Sequence, residues 1–259
     1  QSPIDLTMKM KQVKADNDIT FNDYKTWGNS RRFWAHETVK FSANYDSAKS
    51  PVDQPTTSKF SSKYLASIGE TSAYSAAQFH IHQPSEHTVE GRRMDMEIHF
   101  VHWADSTTGG NQIASALGLM FSVDNPDPID SALKAKVDAF LNAIVAAVPD
   151  SGPAASAAAD ISFNDQVHNL LTALDWNERW GYSGSLTTPP CNTGVYHNVL
   201  KQILPATLAQ MNAIKTFTTS GSTGNKPNFY SETEGNFRRI QPLNADTKAV
   251  LMSSNPSNA

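Results

Sequence analysis

Cysteine is almost missing from this sequence. Cys191 is the single one among 259 residues, so no disulfide can close within the chain. Positive charge is not in excess either. Lysine and arginine number 21 against 25 aspartates and glutamates, and the net charge of −4 argues against a nucleic-acid binder working through a basic face. No apolar run reaches the ~20 residues of a membrane-spanning helix. Asn-x-Ser/Thr acceptors are lacking, so glycosylation gives no guide to the compartment. Internal repeats are absent, and nothing marks a domain boundary. A hydrophobic content of 39% and a charged content of 18% describe an ordinary soluble globular protein, long enough for one large domain or two small ones. The chain begins at Gln1 rather than Met, the start expected where a leader is missing.

Histidine stands out in one stretch. Gln78-Phe79-His80-Ile81-His82 is followed by Ser85-Glu86-His87 and by Glu97-Ile98-His99-Phe100-Val101. Residues two apart in a strand share a face. His80 and His82 therefore project together with Gln78, their Cα atoms about 6–7 Å apart. Glu97, His99, Val101 and Trp103 share a face in the second segment, and His102 points the other way. If the two segments pair antiparallel, His80, His82 and His99 gather on one side. A His-x-His pair alone is weak evidence, because surface strands carry such pairs by chance. Three neutral imidazoles buried together without a metal would be costly. Three imidazoles beside an open fourth position form the donor set of a catalytic rather than a structural zinc site.

Around this stretch the chain reads as strands with a few helices. Gln1–Leu6 leads into a strand, and 19–46 forms short strands, one of them beginning near His36. Residues 46–63 read as a long surface loop, and Gly91-Arg92-Arg93 as a solvated turn. The apolar run 111–123 predicts a buried central strand. Over 130–148 the period changes to helical, with Asp130 or Ser131 as cap and Pro149 as stop. Shorter helices are expected over 164–173 and 205–216, and a loop over 217–235. Gly184–Cys191 reads as a strand end and a stiff Pro-Pro turn, and Asn236–Leu243 as a final strand. The expected fold class is α+β, mostly β. It is a single domain over 1–252 with a large central, predominantly antiparallel twisted sheet and a few peripheral helices, and a frayed tail over 253–259.

These pieces, taken with Gly184-Ser185-Leu186-Thr187-Thr188-Pro189-Pro190-Cys191 and Gln241-Pro242-Leu243, resemble the α-class carbonic anhydrases almost end to end. The resemblance implies reversible hydration of CO2 to bicarbonate and a proton by a zinc-bound hydroxide. It implies His80, His82 and His99 as Zn2+ ligands, supported by Gln78, Glu97 and the backbone carbonyl of Asn236. It also implies that Thr187 accepts the hydroxide's proton in a hydrogen bond and donates its own to Glu86, since an ionised carboxylate only accepts. Val101, Ala116, Leu186 and Val195 fall at the positions of an apolar wall for CO2, with Thr188 lining the same cavity. His36 falls at the position of the proton shuttle, where a near-neutral pKa suits the task. His87 is expected to be structural.

This sequence also departs from the family pattern. Met94 stands where an aromatic residue or His is usual, Ala116 is small at a wall position often filled by Val, and His197 replaces a usual Trp. Exported members often pair a cysteine at the position of Cys191 with one upstream of the present start. The expectation is therefore a secreted protein, extracellular or periplasmic. The partner molecules expected are CO2 and bicarbonate, with no nucleic acid and no membrane span. Two further readings stand beside this one: a catalytically silent binding protein on the same fold, and a zinc hydrolase acting on esters.

Overall fold

The structure, a computed structural model, describes residues 1–24, 27, 30–35, 38–43, 58–105, 111–148, 159–219, 235–243 and 247–256, with 33–35 and 216–219 described in backbone only. His36 lies outside these residues, as do most of the segments expected as loops over 46–63 and 217–235.

The N-terminal half carries β1 (Asp5–Leu6), β2 (Lys11–Lys14), β3 (Ile19–Asn22), β4 (Ser30–Ala35), β5 (Thr38–Ser42) and β6 (Lys59–Ser62). Next come α1 (Lys63–Ser67), β7 (Ala73–His82), β8 (Thr88–Val89), β9 (Arg92–Arg93), β10 (Met96–Ala104) and β11 (Ala114–Ser122). Beyond these lie α2 (Ser131–Ala147), β12 (Ala159–Ile161), α3 (Gln166–Leu171), β13 (Arg179–Ser185) and β14 (Thr193–Leu200). The last elements are β15 (Leu204–Pro205), α4 (Leu208–Thr219) and β16 (Val250–Ser253). The main sheet runs β12-β4-β5-β7-β10-β11-β14-β13-β16-β2. Most of its pairs are antiparallel, as expected. Its parallel pairs are β11 with β14, β11 with β15 and β16 with β2.

One face of the central strands is core. Phe79 and Ile81 on β7, and Ile98 and Phe100 on β10, are fully buried. The Phe79 ring stacks on Phe41 at 4.7 Å and meets Phe100 at 5.2 Å, Phe163 at 5.1 Å and Phe140 of α2 at 5.7 Å. The helix covering this face starts where the cap was expected, with Asp130 accepting from the Leu133 N–H at 2.8 Å. Alternation places the even residues of β7 on the opposite face. A bulge interrupts this pattern. Val101 pairs with Gln78 but His102 with Ala76, so Ala77 is the extra residue.

His102 faces the core. Its Nδ1–H donates to Phe100 O at 2.9 Å, and its Nε2 accepts from the Tyr24 hydroxyl. Burial lowers its pKa from 6.5 to about 3. The folded state thus holds it neutral, and that stability is fully present above pH 6.5 and lost as pH falls from there toward 3. One such group contributes at most ~1.4 kcal/mol per pH unit across that window. Urea unfolding at pH 6.5 and at pH 4.5 is expected to show a shallower pH slope in His102→Gln than in the unmodified protein. An identical slope in both would refute this account.

A second buried polar set ties the N-terminal third to the sheet. Arg179 on β13 is fully buried and Asp18 nearly so. The Arg179 guanidinium donates to the Asp18 carboxylate, to Asn198 Oδ1 at 2.9 Å and to Trp176 O at 2.5 Å. Asp18 also accepts from the Tyr64 N–H at 2.5 Å and the Ser62 hydroxyl at 3.1 Å, at the start of α1.

Four expectations need correction. Lys59–Ser62 is strand β6, not loop, because it pairs with both β3 and β7. Asn236–Leu243 is no strand. Its N–H groups go elsewhere, Asn236 to Gln83 O, Arg238 to Glu86 Oε1 and Gln241 to Pro3 O, so no ladder forms. Arg93 is not a solvated turn residue, since its guanidinium donates to the carbonyls of Ser85 and Glu86 and packs on the Phe237 ring. The tail does not fray at 253. Ser253 closes β16, its hydroxyl donates to Glu178 Oε1 at 2.6 Å, and the Ser254 N–H reaches the same oxygen at 3.1 Å.

Candidate metal centre

The register of β7 and β10 brings the histidines together. His99 lies opposite His80, Glu97 opposite His82, and Val101 opposite Gln78. The ring centroids of His80, His82 and His99 are 4.9 to 5.3 Å apart. All three rings are buried. Each offers one nitrogen to a group whose members lie within 4.8 Å of one another.

The other nitrogen of each ring is fixed by an acceptor. His80 Nδ1 donates to Gln78 Oε1 at 2.9 Å, His82 Nδ1 to Asn236 O at 2.6 Å, and His99 Nε2 to Glu97 Oε1 at 2.8 Å. These bonds fix the tautomers and leave His80 Nε2, His82 Nε2 and His99 Nδ1 as lone pairs. Burial, then the neighbouring imidazoles, lowers the His80 pKa well below its ordinary value. Burial likewise lowers that of His82. At His99 burial also acts downward, but Glu97 and Glu86 outweigh it and the pKa is raised. His82 Nε2 is a buried nitrogen with no hydrogen-bond partner, and so is the oxygen Glu86 Oε2 that lies 3.3 Å from it. An orphaned nitrogen among three convergent imidazoles fits a metal ion bound there.

Asn236 reaches its position as a clamp on the end of β7. Its Oδ1 accepts from the Gln83 N–H at 2.7 Å and its Nδ2 donates to Ile81 O at 2.9 Å. Glu97 is a fully bonded anion. Oε1 also accepts from His87 Nδ1 at 2.6 Å, and Oε2 from the backbone N–H groups of Glu86 and His87 at 2.9 and 2.8 Å. Burial alone would raise its pKa, but the His87 and His99 imidazoles hold it well below the usual carboxylate range. Gly118 makes the room, because a Cβ there would sit 3.2 Å from Glu97 Oε1. His87, Glu97 and His99 also cluster closely enough to suggest a second metal group. Their facing atoms are spent on one another, so they form a support for His99. The Tyr182 hydroxyl extends that support, lying 2.6 Å from His87 Nε2 and 2.9 Å from Ser2 Oγ.

A cavity of about 340 Å³ opens over the site, with Gln78, His80 and His99 among its lining residues. Its apolar wall is Val101, Ala116, Leu186 and Val195, and Thr187, Thr188 and His197 adjoin it. Lys40 and Ser42 line the opposite side and were not anticipated. The alternation of Thr38-Val39-Lys40-Phe41-Ser42 was the available signal, since Lys40 pairs with His80 and Ser42 with Gln78. Glu86 lies beside the lone-pair nitrogens, its Oε2 3.3 Å from His82 Nε2 and 3.8 Å from His99 Nδ1, with Oε1 accepting from the Arg238 N–H at 2.9 Å. Thr187 is buried at the cavity wall, and no hydrogen bond joins it to Glu86 in this structure. The position of His36 is outside the described residues.

Comparison with known proteins bears on the chain as a whole. The family model of eukaryotic-type carbonic anhydrases matches residues 1–252. A carbonic anhydrase of Klebsiella pneumoniae is 30% identical over 141 residues, covering 52% of this chain and 46% of that protein. Alpha carbonic anhydrase 3 of Arabidopsis thaliana is 26% identical over 184 residues, covering 71% of this chain and 56% of the relative. The matched stretches thus span about half the length of these curated relatives. Among solved structures, the α-carbonic anhydrase of Thermovibrio ammonificans in complex with sulfanilamide has a TM-score of 0.64 at 24% identity, covering 96% of this chain and 86% of that one. A fungal α-carbonic anhydrase from Aspergillus oryzae has a TM-score of 0.64 at 21% identity, with coverages of 95% and 84%. At such identities these two likenesses establish the fold. The match along 1–252 carries the further step: this chain belongs to the eukaryotic-type, or α-class, carbonic anhydrase family.

Proposed function

We propose that the chain is a zinc enzyme that hydrates CO2 reversibly to bicarbonate and a proton. The observation supporting this most directly is the convergence of three lone pairs whose rings are each fixed from behind by Gln78, Asn236 or Glu97. A Zn2+ ion bound there lowers the pKa of its water to about 7 and so supplies hydroxide at neutral pH. His80, His82 and His99 hold the ion in this reading. Glu86 has one oxygen filled by the Arg238 N–H, which leaves the unpartnered Oε2 as the acceptor on offer to the Thr187 hydroxyl. With its own O–H directed at Glu86, the Thr187 oxygen would accept a hydrogen bond from the nucleophile and so orient a lone pair of the nucleophile toward carbon. Val101, Ala116, Leu186 and Val195 hold the uncharged substrate, with Thr188 beside them. His36 takes the released proton to solvent. Export belongs to the same proposal, on the position of Cys191, which is free and partly exposed. Retention of every ligand histidine, of Glu86 and of Thr187 weighs against a catalytically silent binder.

Metal analysis and stopped-flow CO2 hydration test this together. The unmodified protein is expected to hold one zinc per chain and to hydrate CO2. Thr187→Val keeps the branched shape but removes the hydroxyl, and should keep the zinc while losing about 100-fold in rate, the scale of one lost oriented polar contact. Stoichiometric zinc with no hydration by the unmodified protein would overturn the proposal and favour an ester substrate or a binding role.

A further inference from the structure

Two residues of the cavity wall offer something CO2 cannot use. Ala116 and His197 face each other across β11 and β14, and both line the cavity. The His197 ring is 3% exposed and lies flat on Tyr182, 4.9 Å between centroids and 9° between planes. Its Nε2–H donates to Ser185 O at 2.9 Å. With the ring proton on Nε2, the Nδ1 atom presents a lone pair, and it has no hydrogen-bond partner among the described residues. An acceptor at the cavity wall gains from a donor on the ligand, and CO2 has no hydrogen to give it. At the same place the small side chain of Ala116 leaves space beside the imidazole.

We propose that His197 Nδ1 and the space over Ala116 form a subsite that selects for a hydrogen-bond donor. The ligand class is a small neutral alcohol. Its compact apolar body would rest against Val101, Leu186 and Val195, and its O–H would donate to His197 Nδ1. Any water held at Nδ1 is displaced without loss by a hydroxyl, but at a loss by a group that only accepts. The inference rests on the reading of this cavity as the substrate pocket.

The test titrates zinc-loaded, 15N-histidine-labelled protein with cyclopentanol and with cyclopentanone, which share one ring and differ in the donor. Cyclopentanol should bind at least about fivefold more tightly, the worth of one neutral hydrogen bond, and should move the His197 Nδ1 resonance where the ketone does not. In His197→Phe the preference should fall to about one. Ala116→Val fills the space and should weaken both ligands with the Nδ1 resonance unmoved. Equal affinities in the unmodified protein overturn the inference, as does a preference that survives in His197→Phe. If that variant fails to fold, an alcohol affinity unchanged in Ala116→Val overturns it instead. Zinc content and CO2 hydration of the same samples judge the proposed function separately. A donor preference without hydration leaves this subsite standing, and hydration without the preference removes it alone.

Discussion

His99→Ala is expected to lower bound zinc from one per chain to below about a tenth, and CO2 hydration by more than about 10³-fold. Two effects combine at this position. One of three converging nitrogens is lost, and an ion held by two imidazoles has neither the affinity nor the geometry of the full set. The Glu97 carboxylate also loses the imidazole bonded to its Oε1 at 2.8 Å, in a place where burial disfavours its charge. The comparison that separates these is Glu97→Gln, which keeps all three ligands and should cost only about 10–100-fold in zinc affinity. Metal analysis and stopped-flow hydration on both variants read the difference. A His99→Ala protein that keeps stoichiometric zinc and its rate would show that these histidines are not the ligand set.

The largest loss of stability is expected at the Arg179–Asp18 pair. Arg179→Met removes a fully buried guanidinium and leaves the Asp18 carboxylate, itself only 4% exposed, without its countercharge. Breaking a buried pair from one side costs about 3–5 kcal/mol. For a chain of this size that corresponds to a fall of roughly 10 °C in Tm. Removing both charges together in Asp18→Asn/Arg179→Met should cost less than the sum of the single changes, because no charge is then left stranded. Calorimetry on the two single variants and the double variant measures the coupling. Additive losses would mean that the two side chains act independently, against the contact between them.

The metal face was legible because strand periodicity is strict. Once His80 and His82 share a face, Gln78 must join them, and the same rule groups Glu97, His99 and Val101. Helix α2 was legible for a similar reason, with the helical period of Phe140, Leu141 and Ile144 ending at a proline and opening at Asp130. Features that depend on distant chain were not legible. Asn236–Leu243 alternates enough to pass for a strand, and nothing local says that its donors are taken by Gln83, Glu86 and Pro3. The short segment Lys59–Ser62, with Phe60 its one apolar residue, hides a strand whose identity lies in its two neighbours. The charge of Arg93 suggested water, whereas its partners are the backbone carbonyls that hold Glu86 in place. For Asn236–Leu243 and Lys59–Ser62 the missing information is a partner tens to hundreds of residues away, whereas the carbonyls that Arg93 reaches are only seven and eight residues back and its distant partner is the Phe237 ring.

The clamp at Asn236 has a consequence for the birth of the protein. His82 Nδ1 donates to a carbonyl 154 positions further along the chain, and Glu86 Oε1 receives an N–H 152 positions away. A nascent chain halted on the ribosome before Asn236 has all three histidines outside the exit tunnel but not the acceptor that orients the second of them. Metal capture would then follow release of nearly the whole chain rather than accompany its synthesis, and the order of events in the cell would be translation, closure of the sheet, and only then loading.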